Sequence, residues 1–374
     1  MLNITGVSPF EFDKETRQLI KRPFPSNPQR AKILGLFLIA CTLFSQMIYF
    51  RNSYPVSVVL ETLIYLIGAI IVVICPYHMW IHQNAIVELY NLLLQFENQE
   101  EYKTKFQESL RKWETKVLQL IQLIAITTAP TVINLYAIAQ WLNPCQPALF
   151  LFFTLEECKV LSQPNWKPSS ILQLTLLDIF SIWSLWDLSG GCVFLLVPVA
   201  FVICFCIRYY NRVFGRILQG TTCTEENLRF YYKLRILHRH FSKVQEGFII
   251  AALLFVANAY VILGFYMLIT FGWSLPLPKI VFFMFCEVDC LLIIIIYCGV
   301  FGGLHSETEE TLLLFRKRFM PSLQGKNRKL KDRLVKSFQP LKVAIGVSNY
   351  VDKLTPLVMI QFCIDQMVSL LLVN

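Results

Sequence analysis

Charge is what this sequence has least of. Asp, Glu, Lys and Arg make up 16% of its 374 residues, where a soluble domain carries about 25%. Hydrophobic residues make up 55% and the mean hydropathy is positive, which excludes an ordinary water-soluble domain. Catalytic signatures are missing as well. Neither an H-E-x-x-H zinc motif nor a G-x-S-x-G nucleophile motif occurs, so enzyme is the class with least support. No internal repeat of the kind that marks secondary transporters is present. The first 32 residues lack the apolar stretch and small-residue cleavage site of a signal peptide. His78 and His82 stand one helical turn apart but have no third ligand beside them, so neither a metal nor a cofactor is read here.

What is present is a series of apolar runs of spanning length, roughly 17 to 25 residues or more. Seven occur: 33–50, 56–81, 117–141, 171–207, 247–271, 280–304 and 343–373. The fourth and seventh exceed a simple span, and Pro356 offers a bend in the seventh. The expected architecture is an all-α membrane protein with seven transmembrane helices. Residues 1–32 form an N-terminal segment and residues 33–374 the helical domain.

The basic residues orient it. Segments on the N-terminal side of the bilayer hold 29 Lys and Arg, while the other side holds only Arg51, Lys159, Lys167 and Lys279. The sequence therefore predicts a cytoplasmic N-terminus and an extracellular C-terminus. The net charge of +9 is a topology signal, and the basic residues do not sit on a folded soluble face with stacking aromatics as nucleic-acid binding requires. The partner implied is the lipid bilayer.

Amphipathic stretches follow or precede several spans. Leu89, Leu92, Leu93, Phe96, Phe106, Leu110 and Trp113 keep helical spacing, and similar mixtures recur before the fifth span and after the sixth. They predict a packed cytoplasmic domain built from helix extensions. In the outer halves of the middle spans, Tyr65, Tyr136, Phe180, Trp183, Trp186, Phe282 and Phe285 are candidates for an apolar ligand pocket. Glu287 and Asp289 are two apart on one span, so only one of them can face the bundle. Most of the twelve cysteines lie within spans, but Cys145 and Cys158 share a predicted extracellular loop whose compartment permits a disulfide.

The last helix carries Asp352, Lys353, Gln361, Asp365, Gln366 and Ser369 among aliphatic residues. Polar groups at membrane depth are costly in lipid and mark a protein interior or an ion pathway.

The segment CGVFGGLHSETEETLLLFRKRF, from Cys298 to Phe319, resembles a stretch of insect gustatory receptors. The downstream KDRLVKSFQPLKVAIGVSNYVDKLT resembles the same family's passage into its last helix, and odorant receptors of that superfamily share the general pattern. The gustatory branch ends with Thr-Tyr, five apolar residues and Gln-Phe. Here Asp365 and Gln366 stand where Thr-Tyr is expected, and Leu372 and Val373 where Gln-Phe is expected.

The resemblance implies a chemosensory receptor at the plasma membrane of sensory neurons. It would act as a ligand-gated non-selective cation channel, formed as a homo- or hetero-tetramer of related subunits and opened by a small-molecule tastant or odorant. The helix over about 343–373 would line the pore, and the cytoplasmic extensions would anchor the tetramer. Ser369, Leu372 and Val373 fall in the gate region, and Asp365 would form a ring of carboxylates that favours cations. An odorant receptor subunit needing a co-receptor is the alternative within the superfamily. A G-protein-coupled receptor conflicts with the charge distribution and with the missing Asp-Arg-Tyr and Asn-Pro-x-x-Tyr signatures.

Overall fold

A computed structural model of the chain describes residues 10–13, 15–21, 55–98, 194–220, 225–245, 249–322, 328–345 and 349–373, several helical residues between 34 and 48, and residues 134 and 138. Its described helices are α1 (Val56–Ile81), α2 (Gln83–Asn98), α3 (Phe194–Gly220), α4 (Glu225–Gln245), α5 (Ile249–Phe271), α6 (Leu277–Ser322), α7 (Arg328–Lys336) and α8 (Thr355–Val373). Two short antiparallel hairpins accompany them, β1 (Phe10–Asp13) with β2 (Gln18–Lys21) and β3 (Ala344–Ile345) with β4 (Asn349–Tyr350).

Among the described residues, α1, α5, α6 and α8 are long and apolar enough to cross a membrane. Near residues 34–48 the helical Ala40 and Met47 pack on Leu66 and Ala69 of α1. The third apolar run apart from residues 134 and 138, the loop with Cys145 and Cys158, and the pocket candidates Tyr136, Phe180, Trp183 and Trp186 lie outside the described residues. The end of the fourth run is α3, which continues 13 residues past Ile207.

The 46 residues of α6 extend about 70 Å, more than twice the thickness of a hydrocarbon core. Its second half therefore stands beyond the bilayer, together with α2, the end of α3, α4 and α7. Their amphipathic faces meet in one apolar core in which Leu89, Phe96, Tyr210, Phe214, Tyr231, Phe315 and Phe338 are buried. Aromatic edges and faces fill it. Ring centroids lie 4.5 Å apart for Phe96 and Tyr210, 5.5 Å for Phe214 and Phe315, and 5.0 Å for Tyr231 and Phe338. The described helix extensions thus pack, as their spacing predicts, while Phe106, Leu110 and Trp113 of the same stripe lie outside the described residues.

Sequence periodicity did not reveal the N-terminal hairpin. Asp13 closes its turn, accepting from the Glu15 N–H at 2.9 Å and the Thr16 hydroxyl at 2.6 Å, while Arg17 takes a left-handed φ of 53°. Phe10 and Leu19 are buried in the core beyond the spans. Asn91 of α2 acts as a strand mimic, accepting from the Leu19 N–H at 2.8 Å and donating to the Leu19 carbonyl at 3.1 Å.

The seventh apolar run divides rather than bending at Pro356. Within it β3 pairs with β4, and α8 starts only at Thr355. The Thr355 hydroxyl accepts from the Asp352 N–H at 2.8 Å, and Pro356 occupies the first helical turn, where its missing N–H leaves no bond unmade. His78 Nε2 lies 2.7 Å from the Val244 carbonyl, which ties α1 to α4.

His238 of α4 faces the segment after α7. Burial pushes its imidazole down to about 4, an interaction with the Lys342 backbone opposes this, and the charge of Arg235 adds to it. The folded chain therefore binds this proton less readily than the unfolded chain. Stability from the neutral ring is present above about pH 6.5 and is lost as pH falls towards about 4. The thermal midpoint of the purified protein should drop across that window, and His238→Gln should flatten the drop.

Candidate functional site

At the end of the bundle where α1, α5 and α6 meet, two of the aromatic candidates come together. Tyr65 of α1 and Phe282 of α6 have ring centroids 5.8 Å apart. Phe283, Ile64 and Met267 are buried beside them, and Phe282 and Phe283 meet edge to face at 5.5 Å. Phe285 does not join this cluster. It is 39% exposed, because its position on α6 turns it away from α1 and α5.

Against the same cluster lies a charged pair. Glu61 is 2% exposed and Lys279 is 4% exposed, with Lys279 Nζ 2.9 Å and 3.1 Å from the two carboxylate oxygens. The Tyr65 hydroxyl donates to Glu61 at 3.3 Å. Lys279, counted by sequence among loop residues, is instead in the first turn of α6. Glu61 is the only acidic residue in its apolar run, and that isolation was the available signal.

One turn beyond Phe283, Glu287 faces the bundle and Asp289 is half-buried elsewhere on the helix. The Glu287 carboxyl occupies the notch over Gly264 of α5, where any Cβ would collide with it. Neither of its oxygens has a hydrogen-bond partner. Its neighbours are the aromatic cluster on one side and, on the other, the cluster in which Ile294 and Val261 meet Cys363 of α8.

Cys363 is the one buried residue of α8, with its thiol 3.2 Å from Asn258 Oδ1. Successive helical residues are about 100° apart, which puts Gln361, Asp365, Ser369 and Leu372 within about 80° of one another and roughly opposite Cys363. All four are exposed in the single chain, Leu372 at 81% and Val373 at 85%. The Asp365 carboxylate accepts from Gln361 at 2.8 Å, and the Ser369 hydroxyl donates to the Asp365 carbonyl. Among the described residues Asp365 and Lys353 form no ion pair.

The start of α8 is held to α6 by the CGVFGGLHSETEETLLLFRKRF segment. Gly302 lies so close to the Asp352 and Lys353 backbone that a Cβ would overlap it. At Gly303 the space belongs to Arg208, whose guanidinium carbon would be 2.6 Å from a Cβ. This approach lets Arg208 and Arg212 of α3 both reach Glu307, each donating at 2.9 Å and 2.6 Å. Thr308 then accepts from the Leu341 N–H at 3.1 Å, and Arg316 donates to the Phe338 carbonyl at 2.9 Å.

A family model for the 7tm Chemosensory receptor matches residues 2–339. The chain belongs to that family. The insect olfactory receptor OR5 from Machilis hrabei, in complex with eugenol, is similar in structure with a TM-score of 0.68 and 14% sequence identity, over 100% of this chain and 96% of that one. A second structure of that receptor gives a TM-score of 0.63 at the same identity and coverage. At such identity the likeness shows a shared fold. No curated protein matches by sequence. This chemosensory receptor is thus read correctly at family level from its Cys298–Phe319 segment, and the buried charged pair that sequence missed is Glu61 with Lys279.

Removing one member of that pair strands the other charge. Lys279→Met should cost about 3 to 5 kcal/mol in thermal unfolding of the purified receptor, and the Glu61→Met/Lys279→Met double variant should regain most of it. Additive losses in the double variant would show that the two groups do not support one another. At the joint, Gly302→Ala should destabilise by about 1 to 3 kcal/mol through overpacking. Gly299→Ala, where a Cβ meets nothing within 4 Å, is the control and should leave the midpoint unchanged.

Proposed function

We propose that this chemosensory receptor is a subunit of a ligand-gated cation channel, of the gustatory type, in which four chains surround a pore lined by α8. The observation that carries the reading is the polar stripe Gln361, Asp365 and Ser369 on a helix that buries only Cys363 within its own chain. A helix of spanning length cannot leave a carboxylate against lipid, so that face needs water or other subunits. Copies arranged around an axis supply both. Asp365 then forms a ring selective for cations, and Leu372 and Val373 beyond it form an apolar ring that blocks ions by dewetting.

The ligand pocket in this reading is the aromatic cluster of Tyr65 and Phe282, completed by Tyr136, Phe180, Trp183 and Trp186. A small molecule, as eugenol is for the olfactory receptor of the same fold, fits such a site. The distribution of Lys and Arg supports a cytoplasmic N-terminus, which puts the aromatic cluster on the extracellular side and the core around Phe214 inside the cell. Ligand opens the channel by binding the open state more tightly than the closed one. The alternative within the family, an odorant receptor subunit, differs in requiring a co-receptor for current.

The test is current recorded from cells expressing the chain, alone and with related subunits, during exposure to tastants and odorants. Asp365→Ala should lower the preference for cations over anions, and Leu372→Ala should raise the current without ligand. A ligand-evoked current with unchanged selectivity and unchanged resting level in both variants would remove α8 from the pore and leave the receptor assignment in place.

A further inference from the structure

Beyond the spans, α4 and the segment after α7 border an open cleft of about 510 Å³ that neither the ligand cluster nor the pore uses. Arg235, His238, Arg239 and Ser242 line one wall, at the i, i+3, i+4 and i+7 spacing that puts them on one face of α4. Lys342 lines the other wall with Gln339. The second wall is irregular in backbone but fixed in place. The Tyr231 hydroxyl donates to the Gln339 carbonyl at 3.3 Å, the Leu341 N–H donates to Thr308 at 3.1 Å, and Arg316 holds the Phe338 carbonyl.

The three cations are held in an unusual way. Arg235 lies over the Phe338 ring at 5.9 Å and Lys342 over the Tyr350 ring at 4.3 Å. Among the described residues no carboxylate pairs with Arg235, Arg239 or Lys342. Aromatic faces thus position two of the charges without neutralising them or consuming their N–H donors. The Nε2 of His238 in the same wall is buried without a hydrogen-bond partner. Elsewhere in this layer Arg208 and Arg212 are paired with Glu307, and Arg318 donates to the Leu218 and Gln219 carbonyls.

We propose that this cleft binds a compact polyanion bearing several phosphate groups. Convergent arginines recognise phosphate by paired N–H donors, and the volume is that of a small-ligand site. Ser242 lies seven residues before Ile249, the first residue of α5, so the chain keeps it within about 25 Å of the start of that apolar helix. A phosphorylated lipid headgroup and a soluble inositol polyphosphate offer the same chemistry there. Lys342 lies on the chain between α7 and α8, so the bound anion ties α4 to the segment that leads into the last helix.

The experiment uses the full-length protein in nanodiscs. One arm titrates inositol hexakisphosphate into phosphatidylcholine nanodiscs, and the other compares those discs with discs containing phosphatidylinositol bisphosphate. Thermal midpoint and hydrogen exchange over residues 232–242 and 339–342 are read in both. Binding predicts a higher midpoint and protection of both segments. Response to the soluble probe assigns a soluble polyanion, and response only to the phosphorylated lipid assigns a headgroup. Arg239→Gln and Lys342→Gln should each weaken binding about tenfold, the loss of one charge-assisted contact, and raising salt should weaken it further. No protection of the wild-type protein in either arm overturns the proposal without reference to any variant. So does unaltered probe affinity in the variants with a changed oligomeric state, which would assign the cations to a neighbouring subunit.

Discussion

Glu307 receives hydrogen bonds from two arginines of α3, and the helix that carries it runs from the aromatic cluster to the packed layer beyond the spans. A carboxylate so enclosed is stable there only while both guanidiniums reach it. That requirement fixes the distance between α3 and α6, and the distance is reachable because Gly303 has no side chain. One residue earlier, Gly302 brings the approach to α8 against the same helix. The position of the last helix therefore depends on a short stretch of α6 in which two glycines and one acid act together. The Thr308 and Arg316 contacts, one residue and about two and a half turns beyond Glu307, extend the joint to the segment after α7.

Polar groups at membrane depth meet three different fates in this chain. Glu61 is paired with Lys279 and touched by Tyr65, so its charge is answered within one subunit beside the aromatic cluster. Glu287 is shut into a notch over Gly264 with no hydrogen-bond partner, between that cluster and the contacts of α8. Asp365 and its stripe are neither paired with a cation nor enclosed by the chain. Glu61 borders the aromatic cluster, Glu287 lies between that cluster and the contacts of α8, and Asp365 lies on α8 itself, where Gln361 donates to it. A change in the packing of α5 against α6 acts directly on the middle member, because Glu287 sits between those helices.

The bundle and the layer beyond it are stabilised by different means. Among spans, small residues let a neighbouring helix seat closely, as Glu287 does over Gly264, since lipid offers no hydrophobic advantage to helix contact. Beyond the spans, water drives aromatic burial, and Phe214, Tyr231, Phe315 and Phe338 form a core like that of a soluble protein. The long helix α6 belongs to both and transmits position from one to the other.

Long apolar runs, the lopsided placement of Lys and Arg, amphipathic stripes at Leu89, Leu93 and Phe96, and the Cys298–Phe319 segment were all legible without coordinates. Each is a local pattern whose physical meaning depends on spacing along the chain. The family, the helical class and the packing of the helix extensions follow from such patterns. The N-terminal hairpin was not legible, because its register depends on Asn91 some seventy residues away. Nor was the division of the final run into hairpin and helix, which rests on one Thr355 bond and the fit at Gly302. The partners of Glu61, Glu307 and Arg235 lie far off in sequence, on Lys279, Arg208 and Phe338, and distance in sequence says nothing of which charges will meet. Sequence by itself determined that long apolar helices with amphipathic extensions would form. Only the tertiary structure decided which face of each was covered, and so which polar residues of α8 remained for contacts outside the chain.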